Sequence, residues 1–121
     1  MKWFLFAGSL GMLIGVALGA FAAHGLKGRL SEASLAVFQT GVQYQFLHSL
    51  GLLILGFASR LGISDPLLKI AGYCFIAGIL FFSGSLYWLA NGGPRWLGPV
   101  TPLGGTLFLV GWGLIAWYGI R

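Results

Sequence analysis

Four apolar runs leave this chain few ways to fold. They cover residues 3–23, 34–58, 67–90 and 101–120, and each is near the roughly 20 residues a helix needs to cross a hydrocarbon layer about 30 Å thick. Inside lipid every backbone N–H and C=O must find a partner within its own segment, so such runs are helical. With 58% hydrophobic and 7% charged residues in 121, the composition lies outside that of soluble domains. The connections are short, so consecutive helices must reverse direction. The expected fold is therefore all-α, an integral membrane antiparallel four-helix bundle, with residues 1–121 forming a single transmembrane domain.

Punctuation at the ends of the runs agrees with this. Ser31 can cap the second helix, Asp65-Pro66 supplies a cap and a first-turn proline for the third, and Thr101-Pro102 offers the same pair to the fourth. His24-Gly25 and Asn91-Gly92-Gly93-Pro94 read as stops. Ala20-Phe21-Ala22 looks like a cleavage site for a leader, but an apolar stretch of about 20 residues exceeds the usual 7 to 15 of a signal core. The first run is expected to remain as a span. Its Gly11, Gly15 and Gly19 recur every four residues and form a ridge against which another helix can pack closely.

The net charge of +5 does not point to nucleic acid, because the seven basic residues are scattered singly. Lys2, Arg60, Lys69 and Arg121 fall on one side of the bundle, and Lys27, Arg29 and Arg95 on the other. The positive-inside rule then puts both termini in the cytoplasm, on a margin of one charge. Cys74 is the only cysteine, so no disulfide closes within the chain.

Polar side chains inside the spans carry the functional signal. Residues 38–49 read Phe-Gln-Thr-Gly-Val-Gln-Tyr-Gln-Phe-Leu-His-Ser, and an amide or imidazole in hydrocarbon costs free energy unless it turns inward to a partner. Antiparallel threading brings this segment to the depth of Ser83, Ser85, Tyr87 and Asn91 in the third span and of Thr101 and Thr106 in the fourth. The bundle thus reads as a dry half and a polar half. On a helical wheel Thr40, Tyr44 and His48 make a stripe with Gln45 and Ser49 beside it. Val42, Phe46, Leu50 and Leu53 occupy the opposite arc, read as the lipid face. The candidate ligand-binding residues are Thr40, Tyr44, Gln45, His48, Ser49, Ser83, Tyr87 and Asn91. The bland reading of the same residues is interhelical hydrogen bonding that fixes the packing, worth about 0.6 kcal/mol per contact on average.

Other chemistries are poorly supplied. The only acids, Glu32 and Asp65, lie at helix ends, away from any deep proton relay. His24 and His48 differ in depth, which argues against a haem held between them. No metal-ligand cluster, cofactor motif or phosphate-cradling glycine loop is present, so no metal or cofactor is expected. The stiff loop from Arg95 to Pro102 lies over the polar half as a turn or a lid.

Four blocks, Gly19 to Leu26, Phe38 to His48, Phe82 to Tyr87 and Leu97 to Gly105, together resemble the YgdD-type family of small four-span membrane proteins of unknown function. The likeness covers nearly the whole chain, with Ala22 where a glycine is expected. It implies a four-span architecture and residence in the bacterial inner membrane, and it carries no activity, substrate or catalytic residue. The combined expectation is a non-enzymatic protein whose polar half-bundle binds a small ligand or lipid, or stabilises a membrane partner. Membrane lipids are the expected partners. A homo-oligomer through the glycine ridge and a small channel or transporter are the alternative readings.

Overall fold

The computed structural model describes all 121 residues. Four helices are long and apolar enough to cross a membrane: Phe4–His24, Glu32–Arg60, Pro66–Ala90 and Leu97–Ile120. The third is α-helical over Pro66–Gly78, passes through a π-helical segment at Ile79–Ser83, and resumes as an α-helix over Gly84–Ala90. No sequence signal announced that widened turn.

Most helix ends are where the punctuation put them. The Ser31 hydroxyl accepts the Ser34 N–H at 3.1 Å, and the Asp65 carboxylate accepts the Leu67 N–H at 2.8 Å. The first helix stops at His24, with the Gly25 N–H bonded to the Phe21 carbonyl. Gly92, at φ 87°, turns the chain away after the third helix. The fourth helix differs from expectation. Bonds from the Leu97 N–H to Pro94 and from the Gly98 N–H to Arg95 start it early, leaving Pro102 inside the helix. Thr101 is therefore no cap, and its hydroxyl meets that of Ser85 at 2.6 Å.

Each helix packs chiefly on its neighbours in sequence. The first sits on the second through small residues: a Cβ on Gly8 would come within 2.8 Å of the Ser49 carbonyl oxygen, and one on Gly15 within 2.7 Å of the Phe46 ring. The glycine ridge is thus used within the chain. This corrects the wheel reading. Val42, Phe46 and Leu53 meet the glycines of the first helix, while the outward arc of the second helix carries Gln39, Gln43, Leu47, Leu50, Ile54 and Phe57. The third and fourth helices approach as closely, with Phe82 over Gly104 and Phe108 over Gly78.

Two apolar clusters hold the ends of the bundle. Phe4, Leu52, Leu55, Leu68, Phe75 and Phe108 form one; Ala22, Leu26, Phe38, Val42 and Ala90 form the other. The buried polar residues Gln45, His48, Ser49, Ser83 and Ser85 lie among these apolar side chains, His48 directly against Phe108 and Phe75. The polar side is accordingly closed off by apolar packing of its own instead of opening as a polar half. On the side of the termini, Arg121 forms an ion pair with Asp65, tying the end of the chain to the second loop.

Candidate functional site

The second helix is the spine of the polar layer. At 100° per residue, Gln45, Ser49 and His48 project within about 100° of one another, toward the other three helices. A buried amide in this setting must be bonded, since each unsatisfied polar group in lipid costs several kcal/mol. Gln45 meets the requirement on both sides. Its Nε2 donates to the Gly11 carbonyl at 2.8 Å, and its Oε1 accepts from the Tyr87 hydroxyl at 2.7 Å. One carboxamide thereby joins three helices. Nearby, the Ser83 hydroxyl donates to the Gly41 carbonyl at 2.7 Å, and the Tyr87 ring lies over Gly41, where a Cβ would come within 2.7 Å of it.

His48 lies on the other flank of the same helix. Its Nδ1 bonds to the Tyr44 carbonyl at 2.7 Å, and its Nε2 receives the Trp112 indole N–H at 2.9 Å. The ring stacks on Phe108 with centroids 3.5 Å apart and meets Phe75 edge-on at 5.3 Å. Indole can only donate, so Nε2 must be the bare nitrogen and Nδ1 the protonated one. Both nitrogens are occupied, which leaves no free atom for a ligand or a proton relay. Tyr44 is partly exposed and packs against Phe82 at 4.8 Å.

The eight residues singled out from the sequence are therefore not gathered into one pocket. Gln45, Tyr87 and Ser83 form a set between the first three helices; Tyr44 and His48 face the fourth. Thr40 bonds back to the Ala36 carbonyl and Asn91 to the Tyr87 carbonyl, each four residues away on its own helix. Ser49 is fully buried with its hydroxyl unpartnered, pressed against Gly11.

What the sequence did not reveal is a groove. The first and third helices meet at one end, where Phe4 packs on Gly72 and the Trp3 indole donates to the Tyr73 hydroxyl at 3.4 Å. They are joined again at the other end through Ala22, Leu26 and Ala90. Between these points lies a cavity of about 430 Å³, walled by Phe6, Leu10, Ile14 and Leu18 on one side and by Ile76, Ile79, Leu80 and Gly84 on the other. Gln45, Leu52 and Tyr87 also line it. The π-helical segment forms part of its wall. Helical periodicity marks Leu10, Ile14 and Leu80 as outward-facing and cannot tell a flat lipid face from a concave one.

The sequence is similar to those of known membrane proteins. A family profile described as "Protein of unknown function (DUF423)" matches residues 18–105. The UPF0382 membrane protein SERP0230 of Staphylococcus epidermidis is 45% identical over 112 residues, covering 93% of this chain and 90% of the relative. The chain belongs to this family. Another DUF423/UPF0382 relative, the membrane protein YwdK of Bacillus subtilis, is 45% identical over 117 residues, covering 95% of this chain and 94% of its own. The UPF0382 membrane protein SH2409 of Staphylococcus haemolyticus is 46% identical over 112 residues. The segment matched by the DUF423 profile holds Gln45, His48, Ser83 and Tyr87, whereas Gly11 and Trp112 lie outside it. No solved structure matches the chain.

Proposed function

We propose that this protein is a non-enzymatic membrane component that holds the chain of a membrane amphiphile in the groove between its first and third helices. The observation that carries the reading is the groove itself: apolar walls, both ends closed by packed side chains, and one hydrogen-bonded polar pair, Gln45 and Tyr87, along the lining. Cavities of this size, mostly apolar with few polar groups, are the common form of small-ligand sites. In the fuller reading the protein is of the YgdD type, resides in the bacterial inner membrane and keeps both termini in the cytoplasm. The block order and the basic-residue count support those points.

The channel reading draws no support from the interior. His48 is stacked between aromatic rings, and no charged residue lies along the axis for coupling. The test is native mass spectrometry of the protein extracted with its lipids. We expect one retained lipid mass per chain, lost when Leu10→Trp fills the groove. A chain that carries no adduct, or an adduct indifferent to Leu10→Trp, overturns the reading.

A further inference from the structure

Basic residues remote in sequence come together where the groove ends at Trp3. Lys2 and Arg60 line one hollow of about 490 Å³ with Trp3, Leu5, Phe6 and Ser9. Lys2 also lines a second hollow of about 520 Å³ with Lys69, Ser59, Ser64 and Asp65. Asp65, the only acid here, is already engaged by Arg121 and by the Leu67 N–H. Lys2, Arg60 and Lys69 are all exposed, and none has a carboxylate partner. Their charge is thus uncompensated at a rim where Ser9, Ser59 and Ser64 supply hydroxyls. Trp3 and Phe6 line both the first hollow and the lateral groove.

We propose that Lys2 and Arg60, with Lys69 across the second hollow from Lys2, bind the phosphate of an anionic phospholipid whose acyl chain occupies the groove. Uncompensated positive charge selects the headgroup. Cations at a membrane rim each attract anionic lipid by about 1 kcal/mol, and a zwitterionic headgroup offers no net charge to meet them. Trp3 and Phe6 are exposed and common to hollow and groove, so one lipid lying across their outer faces would span both sites. This identifies the lipid class and rests on the groove reading above.

The experiment titrates the purified full-length protein in detergent with short-chain phosphatidylglycerol and with phosphatidylcholine of the same chains, reading bound mass by native mass spectrometry. The expected result is a preference for phosphatidylglycerol of about tenfold or more, abolished in Lys2→Gln/Arg60→Gln. Lys27→Gln/Arg95→Gln, on the opposite face, should leave the preference unchanged. Equal binding of the two lipids by the wild type, or a preference that survives Lys2→Gln/Arg60→Gln, overturns the proposal. Glycerol phosphate, which has no acyl chains, should not compete; if it displaces the lipid at equal concentration, the site is for free phosphate and the proposal fails. Leu10→Trp separates the two readings. If it leaves binding intact while Lys2→Gln/Arg60→Gln removes the preference, the headgroup site stands and the groove reading falls. If Leu10→Trp removes both lipids and the basic substitutions change nothing, the groove stands alone.

Discussion

Trp112 donates its indole N–H to Nε2 of His48 across 2.9 Å, and that bond, with the one from Nδ1 to the Tyr44 carbonyl, fixes which nitrogen of the histidine carries the proton. A protonated Nε2 would set one donor against another, so the neutral ring with hydrogen on Nδ1 is the form that fits both neighbours. In ¹⁵N NMR of the labelled protein at neutral pH, His48 should show a protonated Nδ1 and a bare Nε2, and Trp112→Phe should shift the Nε2 signal while the Tyr44 carbonyl keeps the proton on Nδ1. An Nε2-protonated ring in the wild type contradicts the bond.

Close approach of the third and fourth helices makes glycine necessary at one position and optional at another. A Cβ on Gly104 would run into the backbone of Phe82, 2.7 Å from its Cα, whereas one on Gly113 meets nothing within 4 Å. Gly104→Ala should cost about 1–3 kcal/mol through overpacking. Gly113→Ala should be neutral or stabilising by up to about 1 kcal/mol, the helix-propensity difference. Thermal unfolding in detergent distinguishes the two, and equal effects would mean that the helices are further apart.

Asp65 does two jobs that substitution can separate. Asp65→Asn keeps an amide oxygen to cap the Leu67 N–H and loses only the exposed ion pair with Arg121, for which less than about 1 kcal/mol is expected. Asp65→Ala loses the cap as well and should cost about 1 kcal/mol more. Chemical denaturation of the two variants beside Arg121→Gln measures the difference; an Asn variant as unstable as the Ala variant would refute the cap.

The π-helical turn at Ile79–Ser83 holds one residue more than an α-turn would. Leu80 is 66% exposed, so its deletion should restore a regular helix while keeping Tyr87 opposite Gln45. Circular dichroism should show retained helicity, and native mass spectrometry should show less lipid, because the groove wall has flattened. Loss of the fold on deletion would mean that the turn maintains the register of the third helix.

Spans and caps were legible because they follow from local chemistry. Ser31 and Asp65 cap where their side chains can reach backbone donors a few residues on, and lipid forces each apolar run to be helical. Thr101-Pro102 misled because a loop bond from Leu97 to Pro94 can begin a helix before its best local signal. The polar layer was legible in depth and not in azimuth. Threading places Gln45 and His48 at one level with Tyr87, yet which flank each occupies depends on where the first helix docks. That docking is decided by Gly8, Gly11 and Gly15 meeting Ser49, Phe46 and Leu53, a long-range match that no single helical wheel contains. The groove is harder still to foresee, since it is made by two helices that meet near their ends and part between them.

The sequential order of packing has a consequence for how the molecule is made. By the time Arg60 has left the ribosome, both partners of the glycine-lined hairpin exist, and Gln45 already has its acceptor on Gly11. The later hairpin brings its own matching surfaces at Gly78, Phe82, Gly104 and Phe108. The two hairpins can therefore insert in turn, but neither is complete alone: the Tyr87 hydroxyl closes the Gln45 bond, and the Ser83 hydroxyl reaches the Gly41 carbonyl, only after the second hairpin has arrived.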